Sequence, residues 1–258
     1  MVYDIQIYQS KELVEYCQDN NDSDWAAANN VKKAMEEVAS WQNFSVDVQV
    51  RQLDDINPSR EVLDWDDALT TACGSWGYYD GLLEWWRDRK ECISSTASDS
   101  NLLLTRTSYT SGGRAHVVSP PAAVAVTGRY CADANLPSSF NDDSDFQSGR
   151  REYDALSTAI HEIGHNIIEY EDNIDKCSDA CEDNDALDHR RGNANERDSS
   201  MVSYAATPMS ANYIECARYN GGPYMCAGSE NACFNEVPKE DDVTGIDLRF
   251  SDCTLSKL

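Results

Sequence analysis

Two histidines and a glutamate stand close enough in this chain to do chemistry together: His161-Glu162-Ile163-Gly164-His165. In an α-helix, positions i and i+4 lie above one another on one face. Two imidazoles so placed can share one metal ion, and a carboxylate beside the first can aim at water near the ion rather than at the ion itself. This is the HExxH arrangement of zinc hydrolases. The bland alternative is a helix with two buried, hydrogen-bonded histidines. That alternative leaves Glu162 unexplained, in a chain with only 4 histidines.

The flanking residues predict the helix. Leu156, Ile160, Ile163 and Ile167 recur at three- and four-residue steps, giving one apolar stripe for the core. His161 and His165 fall beside that stripe, suited to line the floor of a cleft.

A catalytic zinc usually takes three protein ligands and keeps a fourth position for water. The motif resembles that of the metzincin superfamily of zinc peptidases, whose pattern continues through a glycine to a third histidine and later turns tightly around a methionine. In the compact pattern those positions fall on Ile168 and Glu171, and both depart from it. A β-branched Ile168 suits a sharp turn poorly. If the helix runs on, Glu171 lies roughly 15 Å along the axis from His161 and about 80° off its face.

His189 is the stronger candidate. It follows an insert containing Cys177 and Cys181, and it precedes Ser199-Ser200-Met201-Val202-Ser203-Tyr204, which resembles a Met-turn centred on Met201. A third histidine delayed by an insertion is similar to the leishmanolysin branch. The resemblance covers residues 150–210, at the level of motifs.

It implies a zinc ion held by His161, His165 and His189, with Glu162 as general base in the hydrolysis of a peptide bond. Tyr204 is a candidate donor to the tetrahedral oxyanion. It stands three residues after Met201 where the family places its tyrosine two after, so packing beneath the metal is its other role. Glu182 or Glu196, with Glu171 behind them, would instead make a glutamate-ligand zinc hydrolase. His116, in the apparent strand Ala115-His116-Val117-Val118, reads as a structural or cleft-wall residue.

The elements that must position this site are partly legible. Tyr3–Tyr8 and Val46–Val50 alternate apolar and polar, as half-buried strands do. Val31, Met35 and Val38 mark one face of a helix starting near Trp25, and a second helix is expected over 78–92, with Leu82 and Trp86 on one face. Leu102–Thr107, Arg114–Ser119 and Ala123–Arg129 read as strands, with Gly112-Gly113 as a turn and Pro120-Pro121 as a break. Trp76, Trp85 and Trp86 are expected in the core.

The fold class expected is α+β: a metzincin-like two-lobe catalytic domain spanning 1–258. Its N-lobe, about 1–170, would hold a twisted mixed sheet with helices and the active-site helix. Its C-lobe, about 171–258, would be irregular and disulfide-rich. In that plan a peptide substrate pairs with an edge strand, here 114–119 or 123–129.

Forty-six acidic against 21 basic residues give a formal charge of −25. Such a surface repels nucleic acid and anionic membranes. It resembles the acidic surfaces of proteins from halophilic microbes, where salt screens self-repulsion. The clusters Asp142-Asp143-Ser144-Asp145 and Glu182-Asp183-Asn184-Asp185 are calcium candidates, though neither has EF-hand spacing.

Ten cysteines argue for an oxidising compartment and a secreted chain, without a recognisable signal segment. Their distribution, four before the motif, two in the insert and four after Met201, allows up to five local disulfides. The partners expected are protein or peptide substrates, with the chain acting as a monomer. A disulfide-rich secreted binding module without catalysis is the non-enzyme reading.

Overall fold

The computed structural model describes residues 1–20, 22–53, 55–63, 67–106, 113–116, 121–136, 151–167, 194–198, 203–206 and 243–246, with Leu248, Phe250 and Leu258. In chain order, β1 (Val2–Gln9), α1 (Lys11–Asp19), α2 (Ala26–Trp41), β2 (Ser45–Arg51) and α3 (Arg60–Leu63) come first. The hairpin β3 (Asp67–Thr71) and β4 (Trp76–Asp80) leads into α4 (Gly81–Glu91). After β5 (Ser100–Leu104), β6 (Gly113–His116), β7 (Ala122–Ala125) and α5 (Gly128–Asp133), α6 (Arg151–Ile167) carries the histidine motif. β8 (Ala194–Asp198), β9 (Ser203–Ala206) and β10 (Val243–Ile246) form a three-stranded sheet ordered β10-β9-β8.

The main sheet has five strands in the order β2-β1-β5-β7-β6. The first four are parallel neighbours, and β6 runs antiparallel to β7 at the edge. The expected mixed sheet with helices is therefore present, with helices on both of its faces. Strand alternation explains why. Ile5, Ile7, Leu102, Leu104, Ala123 and Ala125 enter one apolar cluster with α2 and α6, whereas Tyr8, Leu103, Val124 and Val126 enter the other with α4. Strands covered on both faces need no polar side, so Leu102-Leu103-Leu104 and Ala122–Val126 read as continuous apolar runs.

Several boundaries differ from expectation. The strand expected over Ala123–Arg129 stops at Ala125, and α5 follows. Its first residue must be small: a Cβ at Gly128 would press on Leu13 and lie 2.9 Å from the Thr105 carbonyl oxygen. Because β7 is paired on both sides, it is not an edge strand, which leaves β6 in that position.

The helix expected over 78–92 begins only at Gly81, because Tyr78–Asp80 pair with β3. α1 was not foreseen. Its signal is the Ser10 hydroxyl capping Leu13 N–H, followed by buried Leu13, Val14 and Cys17.

Trp85 and Trp86 are buried as expected, their indole N–H groups donating to Thr71 and Asn101 carbonyls at 2.9 Å each. Trp76 is not in the core; it stands 73% exposed on the hairpin.

Cys73 and Cys92 form a disulfide, but Cys17 and Cys131 are buried free thiols. Two of the four cysteines before the motif thus serve as small core residues. The other six cysteines and both acidic clusters proposed for calcium lie outside the described residues.

The C-terminal part of the chain returns to this core. Leu248 and Phe250 are buried in the α2/α6 cluster. The Gln42 side chain pairs with the Phe250 backbone in both directions, donating to its carbonyl at 2.6 Å and accepting from its N–H at 2.8 Å. Tyr3 Oη donates to the carbonyl of Leu258.

Candidate metal centre

Core packing fixes α6 before any site chemistry begins. Leu156, Ile160, Ile163 and Ile167, with Ala155 and Ala159, are buried against β5, β7 and α2. Each Leu or Ile so buried contributes about 1.5–3 kcal/mol. Polar contacts set the register of the helix along the sheet. Thr127 Oγ1, at the carboxyl end of β7, donates to Ala155 O at 3.2 Å. Asn166 Nδ2 donates to Ser100 Oγ at the amino end of β5, at 3.0 Å. The helix therefore runs antiparallel to β5 and β7, and its histidine-bearing half lies toward their amino ends.

There the two rings converge. His161 Nε2 and His165 Nε2 are 3.0 Å apart, with ring centroids separated by 4.5 Å and planes crossed at 87°. The Oε1 of Glu162 lies 3.9 Å from His161 Nε2. His161 and Glu162 are each 1% exposed, whereas His165 is half-buried.

The ligand atoms of the three residues all lie within 4.8 Å of one another, so the group could hold a metal ion. Two Zn–N bonds of about 2.0–2.1 Å at a tetrahedral angle place their nitrogens about 3.3 Å apart. The observed pair needs to open by only a few tenths of an ångström. At 3.0 Å the two nitrogens can share one proton, and zinc needs the slightly wider spacing. The donors fit zinc by type as well, being borderline-soft imidazoles near a hard carboxylate.

Three of the site residues expected from the sequence, His161, Glu162 and His165, are thus brought together. His189, Met201, Glu171 and Glu182 lie outside the described residues. For Tyr204 and Glu196 the backbone is described. They are cross-strand partners in β9 and β8, and Tyr204 also faces Val243 of β10, a strand that touches α6. His116 ends β6 opposite Ala122, at the same end of the sheet as Ser100 and the last turn of α6.

Sequence reasoning overlooked Asn166. The available signal was an amide directly after the second histidine, in the final turn of an otherwise apolar helix. Besides its bond to Ser100, Asn166 has a buried Oδ1 without a hydrogen-bond partner among the described residues.

No protein-family model matches the chain, and no curated protein matches it. Among the described residues, no helix is long and apolar enough to cross a membrane.

Proposed function

We propose that this chain is a secreted zinc-dependent endopeptidase of metzincin type. The observation that carries the reading is the convergence of His161 and His165 Nε2 at 3.0 Å beside a buried carboxylate, on a helix anchored at both ends to the sheet. By the same resemblance His189 would be the third ligand, Met201 would be the methionine of the Met-turn, and Tyr204 would assist the oxyanion.

A zinc ion bound there supplies Lewis acidity toward a peptide carbonyl and toward water. The protein supplies the rest. His161 and His165 present their Nε2 atoms as ligands from one rigid surface. Glu162 Oε1 takes a proton from the attacking water and returns it to the departing amine. Burial of Glu162 keeps competing water from its carboxylate. An extended peptide can add to the outer edge of β6, the antiparallel edge strand beside α6, through main-chain hydrogen bonds.

A second reading replaces His189 by a glutamate. It is supported for Glu196 by its place opposite Tyr204, in the sheet that reaches α6 through β10.

The test is zinc content and peptide cleavage measured on the same preparations. Wild type should bind one equivalent of zinc and cleave an unfolded protein substrate. Glu162→Gln should keep the zinc and lose about 10²–10⁴-fold in rate. His189→Ala that retains both zinc and activity transfers the third position to a glutamate. Wild type lacking zinc and hydrolysis alike removes the enzyme reading.

A further inference from the structure

The histidine face of α6 is covered. At about 3.6 residues per turn, Thr158, His161, Glu162 and His165 stand roughly 130–170° around the helix from the middle of the Leu156–Ile167 stripe. Where a single layer of helices lies on a sheet, that side faces solvent. Here Thr158, His161 and Glu162 are buried and His165 is half-buried. A further layer must therefore lie over this part of α6.

The neighbours of α6 indicate the layer. The helix rests on β5, β6 and β7, and α2 and α5 share its face of the main sheet. β10 also touches α6, and it belongs to the other sheet, ordered β10-β9-β8.

That sheet is fastened by the residues that follow it. Leu248 and Phe250, just after β10, are buried in the α2/α6 cluster. Gln42, the residue that ends α2, grips the Phe250 backbone: Nε2 donates to its carbonyl at 2.6 Å and Oε1 accepts from its N–H at 2.8 Å. The Phe44 and Phe250 rings pack beside this pair, with centroids 6.1 Å apart. α2 in turn packs on α6. Contacts thus form a closed ring, from α6 to β10, through Phe250 to Gln42, and from α2 back to α6. Gln42 is half-buried, so water can replace both of its bonds when they open.

We propose that the β8–β10 sheet is a cover over the histidine face of α6, fastened by the Gln42–Phe250 catch, and that release of the catch opens the site. As a control on peptide cleavage this rests on the endopeptidase reading; the covering of His161 does not. A peptide carbonyl has no path to a base that is 1% exposed, so the closed arrangement is the resting form and substrate selects the open one.

The test follows acylation of histidines by diethyl pyrocarbonate in the full, metal-free chain, assigned residue by residue through peptide mass mapping. Wild-type His161 should react at least about tenfold more slowly than in the urea-unfolded chain. Gln42→Leu removes both bonds at similar size and should speed His161 about tenfold, the order expected for a local opening that no longer breaks two hydrogen bonds. Cys73→Ala/Cys92→Ala loosens the opposite side of the main sheet and should leave the His161 rate unchanged. At equal zinc content, Gln42→Leu should also cleave peptide faster. Fast labelling of wild-type His161, an unchanged rate in Gln42→Leu, or equal acceleration in the disulfide variant overturns the cover. Faster labelling in Gln42→Leu, with neither zinc binding nor cleavage in any form, upholds the cover and removes the peptidase reading.

Discussion

Asn166 donates from Nδ2 to Ser100 Oγ at 3.0 Å, tying the last turn of α6 to the first residue of β5. This bond lies one residue from His165, so it connects the position of a proposed metal ligand to the sheet. Ser100 is fully buried. Ser100→Ala should therefore strand the Asn166 amide and cost about 1–3 kcal/mol of stability. It should also weaken zinc binding, which a competition titration with a chromogenic chelator would read; unchanged affinity would make the bond purely structural.

Zinc should act as a folding ligand. At a free concentration of 100 times its dissociation constant, a metal bound only by the folded state adds about 2.7 kcal/mol. His165→Ala should abolish that increment, whereas Glu162→Gln should keep it, since Glu162 is read as base rather than ligand. Urea unfolding with and without chelator measures both. The zinc-free chain should still fold cooperatively, because the stripe from Leu156 to Ile167 holds α6 without help from the metal.

Alkaline pH should weaken the fold from about pH 9 upward. Burial pushes the Cys131 thiol from 9.0 to about 12, and the Tyr8 phenol from 10.0 to about 12. Both groups ionise first in the unfolded chain, so above their ordinary values the unfolded state binds fewer protons and stability falls. The contribution of each is complete below its unfolded value and lost by about pH 12. Cys131 alone sets a slope of about 1.4 kcal/mol per pH unit once the thiol ionises in the unfolded chain. Burial also raises the Cys17 thiol, so Cys131→Ala should make the early alkaline decline shallower without removing it; an unchanged decline in urea midpoints would assign the loss elsewhere.

The Cys73–Cys92 bridge closes a short loop, with a sequence separation of 19. A loop of that length corresponds to about 3 kcal/mol of unfolded-state entropy. Cys73→Ala/Cys92→Ala should lower stability by about that amount, read as a fall in the urea midpoint. The decrease should leave zinc content unchanged, because the hairpin and α6 lie on opposite sides of the main sheet.

Local patterns in the chain determined a good deal on their own. The four-residue spacing of His161 and His165, the stripe from Leu156 to Ile167, the alternation of β1 and β2, and the α2 face of Val31, Met35 and Val38 are all read within one or two turns or a few strand residues. Each corresponds to a feature of the structure because helix and strand periods are local. The start of α4, the burial of β5 and β7 on both sides and the edge position of β6 depend on partners far along the chain. So do the outward placement of Trp76 beside two buried tryptophans and the unpaired state of Cys17 and Cys131. A residue's type states what it can bond to. Which face is covered, which thiols meet and how close two imidazole nitrogens come are settled only when distant segments pack together.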